Sequence, residues 1–286
     1  MTAPATTTAP PLDRPPRNRY LQALTTAKAR FGLTLVLLMV AIGVLGPLLL
    51  SYGPEQQSGS ALTAPGGGHP LGTDEVGRDI LARVLHGIRT DLVITLVAVP
   101  IAAVLGTALG LVGVLSRLLA AAVQRLFDVL LGVPVIILGV GLALAAGAGV
   151  RAIIVAVVLA TLPTFGRQAH SAVNSQLGRE YVTAAVVIGT PRRKILSRHV
   201  LPNVVDGMVA LAAVSMATAV TIEGGLSVMG LGVVPPQPSL GSMIRDGSPY
   251  LFDQPQYALV PVTVVVLLVL GYTLLADALN AAVLRK

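Results

Sequence analysis

Six stretches of the chain contain no charged side chain and approach or exceed the length needed to cross a bilayer. A helix rises 1.5 Å per residue, so about 20 apolar residues span the hydrocarbon core. The fourth and fifth stretches are shorter, and we expect them to extend into flanking residues whose side chains reach the interface. The pattern predicts an all-α integral membrane protein with six transmembrane helices, built on Leu33 to Leu50, Leu92 to Leu115, Val129 to Val150, Ala152 to Gly166, Gly207 to Ile222 and Gln254 to Ala276.

Composition agrees with a membrane protein. Only 12% of the 286 residues are charged and 54% are hydrophobic, with a mean hydropathy of +0.80, whereas soluble domains contain roughly 25% charged residues. The net charge of +7 could indicate nucleic acid binding, but aromatic residues make up only 3% and no basic, aromatic-interleaved pattern is present. Cysteine is absent, which excludes disulfides and thiol chemistry.

The basic residues predict an orientation, because Lys and Arg are enriched in cytoplasmic connections. With the N-terminus inside, fifteen Lys and Arg residues fall on the cytoplasmic side and five outside. Both termini are therefore expected in the cytoplasm. The outer five are Arg78, Arg83, Arg89, Arg151 and Arg245.

These patterns divide the chain into a tail and a permease-like body. Residues 1–30 are predicted to be a disordered cytoplasmic tail, and we prefer an uncleaved first span to a signal peptide because no clear cleavage site follows it. Residues 31–286 form the transmembrane domain. The expected spans are 31–51, 91–115, 128–149, 151–170, 204–224 and 256–279, with extracytoplasmic segments 52–90 and 225–255 and a cytoplasmic loop 171–203.

Both outer segments are too long to be simple turns. Thr73 is expected to cap a helix with Asp74 and Glu75 in its first turn. An apolar stripe at helical spacing then predicts a helix lying flat on the membrane, with Ile80, Leu81, Val84, Leu85 and Ile88 on one side and Arg78, Asp79, Arg83 and Arg89 on the other. The second segment is rich in proline and should pack irregularly over the outer mouth.

Proline residues also fall inside the expected spans. Pro100, Pro134, Pro163 and Pro261 each remove a backbone donor and bend a helix unless its neighbours compensate. Such bends could shape a cavity or improve packing.

No constellation typical of catalysis is present. The histidines, His69, His86, His170 and His199, are expected in connections and at the surface. None of the three lysines follows a glycine, so no phosphate-binding loop is predicted. Acidic residues, His and Lys are absent from the six stretches, which argues against an ion-coupled carrier. Glu223 is expected to anchor a span at the interface, although it begins the long second outer segment.

The connection between the fourth and fifth spans contains the most informative pattern of residues that end and begin helices. Residues 179–188 can form a short helix, Gly189 can take the left-handed position that ends it, and Thr190-Pro191 can begin a second helix. Ala184 and Ala185 offer a small-residue face for another protein. Charge alone would be equally consistent with a plain basic loop.

This connection resembles the cytoplasmic signature of type I ABC importer permeases, E-A-A-x3-G-x9-I-x-L-P. Thr183-Ala184-Ala185, Gly189 and Leu201-Pro202 fall at the matching spacings, with Thr183 in place of glutamate and His199 in place of isoleucine. The run from Arg198 to Asn203 is similar to the dipeptide, oligopeptide and nickel branch. His69 to Asp79 and Gly230 to Val233 resemble the C-type subunit of that branch.

The resemblance implies half of the translocation pathway of an ATP-driven importer for dipeptides or oligopeptides, or for nickel, haem or another small solute. It implies a homologous B-type permease, two cytoplasmic ATPase domains that hold ATP and magnesium, an extracytoplasmic substrate-binding protein, and no cofactor, metal or catalytic residue in this chain. A secondary carrier and a non-transporting scaffold are the rival readings. The implied ATPase-coupling residues are Thr183, Ala184, Ala185, Gly189, Thr190, Pro191, Leu201 and Pro202.

Overall fold

A computed structural model describes residues 26–50, 52–112, 116–177, 182, 187–189 and 201–284. Helices dominate these residues, and β-structure within them is limited to isolated bridges. The α-helices are α1 Ala27–Leu45, α2 Ile80–Val112, α3 Arg117–Gly132, α4 Val135–Ala146, α5 Val150–Leu177, α6 Leu201–Val228, α7 Leu240–Gly247 and α8 Pro255–Leu284, with 3-10 turns at Gly46–Leu48 and Ser248–Tyr250.

Five described helices, α1, α2, α5, α6 and α8, are each long and apolar enough to cross a membrane. The pair α3 and α4 meets at a 91° bend and supplies a sixth span if it is counted as one. Pro134 lies at this bend, as its missing backbone donor favours. Pro100, Pro163 and Pro261 lie inside continuous helices instead. The predicted all-α membrane fold is confirmed.

Several predicted boundaries were wrong by up to eleven residues. The second span begins at Ile80 rather than at 91, and the connection after α5 covers only 178–200 because α5 reaches Leu177 and α6 begins at Leu201. The separate helix expected to lie flat on the membrane is the first part of α2. Its apolar stripe packs inside the protein, with Ile80, Val84 and Ile88 buried in one cluster with Leu240 of α7 and Tyr257 of α8.

Glycines allow the helix axes to approach closely. A Cβ added at Gly106 of α2 would lie 2.4 Å from the Leu162 carbonyl oxygen of α5, and one added at Gly110 would lie 2.3 Å from the Gly166 oxygen. Phe127 of α3 packs directly on Gly166, since a Cβ there would lie 2.2 Å from the Phe127 ring. The α2–α5 contact is therefore backbone against backbone, as small residues permit between membrane helices.

The helix directions place the connections at two ends of the bundle. α2, α5 and α8 run away from the end formed by 52–79 and 229–254, which we call the capped end, while α6 runs toward it. Residues 182 and 187–189, between α5 and α6, therefore lie at the opposite end.

We expect Gly106→Ala to lower the stability of the full chain in detergent by about 1–3 kcal/mol, because the methyl group must displace the α5 backbone. Gly141→Ala is the matched control: a Cβ at Gly141 in α4 meets nothing within 4 Å, and alanine favours helix by about 1 kcal/mol. Thermal unfolding of both variants measures the difference. Equal midpoints for the two variants would contradict the close α2–α5 contact.

Candidate functional site

The capped end begins with a loop, residues 52–79, that folds around Thr73. The Thr73 hydroxyl donates to the Ser60 carbonyl at 2.6 Å and accepts from the Thr63 N–H at 2.8 Å. Thr73 is therefore not a helix cap, and the sequence prediction was wrong. The cap of α2 is Asp79, whose Oδ1 accepts from the Ala82 N–H at 2.7 Å.

Two glycines make this fold of the loop possible. Gly72 and Gly77 have φ angles of +79° and +83°, in the left-handed region that glycine adopts most easily. A Cβ at Gly72 would lie 2.3 Å from the Thr63 oxygen, and one at Gly77 would lie 2.3 Å from the Gly59 oxygen. A side chain at either position would push apart the two backbone segments of the loop that meet there.

Asp74 is the electrostatic centre of the loop. Its side chain is fully buried and accepts from the backbone N–H of Val76 at 3.0 Å and of Arg78 at 2.9 Å. Arg78 Nε donates to Asp74 Oδ2 at 2.6 Å, and Arg83 Nε lies 3.4 Å from the same oxygen. Arg83 is 3% exposed, so its predicted place on a solvated face was wrong. Asp74 therefore supplies the counter-charge that the buried Arg83 and the neighbouring Arg78 need, and its removal would leave a buried charge uncompensated.

A second polar pair joins the loop to the start of α2. His69 is 7% exposed, and its Nδ1 lies 2.8 Å from Asp79 Oδ2. The expectation of histidines in surface connections fails for His69, which is buried, and for His86 and His170, which lie in helices. His199 lies outside the described residues. The ten-residue spacing of His69 and Asp79 gave no sequence signal, because the intervening turn brings them together.

The loop is also fastened to α8. The Tyr257 hydroxyl donates to Glu75 Oε2 at 2.5 Å, and the Gln254 side-chain amide donates to the Leu62 carbonyl. Tyr257 has no exposed surface. Glu75 and Tyr257, which are 182 positions apart in sequence, thus hold the loop against the last span.

Residues 229–254 complete the capped end. Ser239 begins α7 with a capping box, in which its hydroxyl accepts from the Ser242 N–H at 3.1 Å and Ser242 Oγ accepts from the Ser239 N–H at 3.0 Å. The backbone of α7 packs closely against α2 and α8. A Cβ at Gly87 of α2 would lie 3.2 Å from Leu240 N, and one at Gly247 would lie 2.9 Å from the α8 backbone. The segment is not one regular helix, as its prolines predicted; its place over the outer mouth stays a prediction.

A cavity of about 350 Å³ opens beside the capped end. It brings together both cap segments and the ends of α2 and α5, and its charged or titratable groups are Glu55, His86 and Arg89. The complete lining is Pro54, Glu55, His86, Arg89, Thr90, Val93, Val150, Gln237 and Pro238.

The sequence did not predict that the carboxyls of Asp91 and Glu223 are buried. Asp91 lies a third of the way along α2, and Glu223 lies five residues before the end of α6. Each is 1% exposed, so the assignment of Glu223 as an interface anchor was wrong. The available signal was position: Asp91 directly precedes an uncharged stretch and becomes internal once α2 starts at Ile80.

Part of the predicted coupling loop is described at the opposite end. Gly189 has a φ of +81°, as predicted for a glycine that ends a short helix in the left-handed conformation. Val187 and Ile188 are 81% and 82% exposed, whereas Val182 is 3% exposed and joins the core. Leu201 and Pro202 are the first residues of α6. The predictions for Thr183, Ala184, Ala185, Thr190 and Pro191 fall outside the described residues.

A half-exposed ion pair lies on two helices that reach this end. Arg167 Nη2 of α5 is 2.5 Å from Asp128 Oδ1 of α3, and the two side chains are 45% and 49% exposed. Arg167 and Asp128 thus link the bent helix pair to α5.

Comparisons with known proteins give one consistent family. The family described as "Binding-protein-dependent transport system inner membrane component" matches residues 99–286. The chain is 31% identical to the dipeptide transport system permease protein DppC of Alkalihalophilus pseudofirmus, over 94% of this chain and 89% of that protein. It is 32% identical to the di/tripeptide transport system permease protein DppC of Pseudomonas aeruginosa, over 93% and 91% respectively.

A third relative and a solved structure agree. The chain is 30% identical to the probable D,D-dipeptide transport system permease protein DdpC of Escherichia coli, over 86% of this chain and 83% of that protein. The fold is similar to a chain of the inward-facing MetNI methionine ABC transporter, with a TM-score of 0.57 and 20% identity over 70% of this chain and 95% of the other. At that identity the structural likeness supports the fold alone.

We expect Asp74→Asn to destabilise the chain by about 3–5 kcal/mol, because the buried Arg83 and the partly buried Arg78 would lose their shared counter-charge. The control is Asp128→Asn, which breaks a half-exposed pair and should cost at most about 1 kcal/mol. Thermal unfolding in detergent measures both. A loss for Asp74→Asn no larger than for Asp128→Asn would show that the cap does not depend on this charge.

Proposed function

Because the chain belongs to the family of binding-protein-dependent transport system inner membrane components, we propose that it is the permease subunit of an ATP-driven ABC importer carrying dipeptides or oligopeptides across the bacterial plasma membrane. The observation that carries the substrate class is the set of relatives named for dipeptide and peptide transport, which align over 86–94% of this chain. Nickel, haem or another small solute is the alternative cargo.

The chain would form half of the translocation pathway. A homologous B-type permease would supply the other half, with two cytoplasmic ATPase domains and an extracytoplasmic substrate-binding protein. Support comes from the large apolar side chains that α4 leaves exposed, including Ile136, Ile137 and Leu144, which a second permease or lipid would cover. ATP and magnesium belong to the ATPase partners, since no Gly-Lys pair for a phosphate-binding loop occurs in this sequence.

The capped end would face outward and both termini inward. Fifteen of the twenty Lys and Arg residues lie in the tail, at the C-terminus, in the connections after spans two and four, or in the helices next to these segments, as the positive-inside rule favours for the cytoplasmic side. In this orientation the cap offers the substrate-binding protein a firm surface, because the Asp74 ion network and the Glu75–Tyr257 hydrogen bond hold it on α2 and α8.

The connection between α5 and α6 would couple the permease to the ATPase. Val187 and Ile188 present apolar surface to solvent next to the left-handed Gly189, while Val182 is anchored in the bundle core. An ATPase groove that covered Val187 and Ile188 could move α5 and α6 as levers. The coupling set comprises Thr183, Ala184, Ala185, Gly189, Thr190, Pro191, Leu201 and Pro202.

The test is uptake by lipid vesicles that contain the full assembly of two permeases, the ATPases and the binding protein. We expect a labelled dipeptide to accumulate in the compartment that the ATPases face, and only when that compartment contains ATP. Accumulation driven by a proton or sodium gradient, with this chain as the sole protein, would identify a secondary carrier and contradict the proposal.

In the same vesicles, Gly189→Val should leave ATP hydrolysis running while uptake falls at least tenfold, because a β-branched residue opposes the left-handed backbone of the docking loop. Gly189→Asn is the matched control, since asparagine tolerates this conformation best after glycine, and it should retain most of the uptake. Equal uptake by the two variants would argue against a coupling role for this turn.

A further inference from the structure

The buried carboxyls Asp91 and Glu223 lie side by side where α2, α6 and α7 meet. Each side chain is 1% exposed, and each carboxyl is close enough to the other to interact with it electrostatically. In the part of the chain that the structure describes, neither Asp91 oxygen nor Glu223 Oε2 has a donor that meets hydrogen-bond geometry.

No Lys, Arg or His in the described ranges forms a salt bridge with the pair. Among the described residues, the salt bridges of Lys, Arg and His involve other carboxylates, at Asp74, Glu75, Asp79, Asp128 and Asp246. Two ionised carboxylates in contact at such a buried site would repel each other strongly and would both lack hydration. A proton between them removes one charge and supplies the missing donor.

The surrounding groups favour a single negative charge on the pair. Ser227 Oγ donates to Glu223 Oε1 at 2.7 Å, and Ser239 Oγ lies 3.3 Å from Ser227 Oγ. The Leu240 backbone N–H, at the start of α7, lies beside Asp91, where a helix N-terminus stabilises negative charge. From α8, the buried Tyr272 is the titratable group that faces Asp91.

We propose that Asp91 and Glu223 form a proton-binding site that holds one proton while α2, α6 and α7 are packed together. The proton bridges Asp91 and the otherwise unpartnered Glu223 Oε2, and Ser227 stabilises the other Glu223 oxygen. If α7 moves away and water enters, the carboxyls regain hydration and the proton leaves to water. Opening this junction therefore releases one proton, whichever solute the protein carries.

The direct test is infrared spectroscopy of the full assembly in lipid nanodiscs at neutral pH. The wild-type spectrum should contain a protonated carboxylic acid C=O band that shifts in D₂O. The band should be lost in both Asp91→Asn and Glu223→Gln, because the new amide donates to the remaining carboxylate and replaces the proton. The exposed Asp128→Asn is the control and should retain the band. Retention of the band in both buried-site variants would overturn the proposal.

Stability against pH is the second readout. The unfolded chain releases carboxyl protons near about pH 4, while the folded pair keeps one, so the folded state binds more protons above that pH and stability must fall as pH rises. Relative to Asp91→Asn, the wild-type unfolding equilibrium should shift toward the unfolded state by up to about tenfold per pH unit while the proton stays bound.

Glu223→Gln should flatten the same dependence, which keeps the test decisive if Asp91→Asn folds poorly. A wild-type slope equal to that of both variants would contradict a bound proton. Stabilisation by sodium chloride over choline chloride that both variants abolish would assign the site to a metal cation instead, and would also overturn the proposal.

Discussion

The hydrocarbon core offers no hydrogen bonds, so a chain that crosses it must pair its backbone groups within its own helices. This constraint sorts the molecule into apolar helices and irregular ends. The loop 52–79, with its left-handed Gly72 and Gly77, and the turn at Gly189 both lie outside the spanning helices. The bend at Pro134 is the described break in a span, and it ends one helix and starts another.

The two ends differ in how firmly they are held. At the capped end, Asp74 pairs with the buried Arg83 and the partly buried Arg78, and Tyr257 fastens Glu75 to α8, so the capped end moves with the helices that carry it. At the other end, Val187 and Ile188 extend into solvent and are available to a partner. Between the ends, α2 and α5 touch backbone to backbone at Gly106 and Gly110. Such contacts transmit a displacement because closely packed helices cannot compress.

The sequence predicted what depends on local pattern. Uncharged length predicted the spans, and the spacing around Gly189 predicted its left-handed backbone. The sequence did not predict features that depend on contacts between residues far apart in the chain. Thr73 has the sequence context of a helix cap, but its hydroxyl is taken by Ser60 and Thr63. The stripe from Ile80 to Ile88 looks interfacial until α7 and α8 cover it. Asp91 and Glu223 are 132 residues apart, and their contact exists only in the folded bundle.

The proposed function requires the capped end to face outward and the α5–α6 connection to face the cytosol. Cysteine labelling tests this orientation most directly because the chain has no native cysteine. Single variants Gln56→Cys in the cap and Val187→Cys in the connection both place an exposed thiol. A membrane-impermeant maleimide added to intact cells should label only the first, and the same reagent added to inside-out vesicles should label only the second. Labelling of Val187→Cys from outside intact cells would contradict the account.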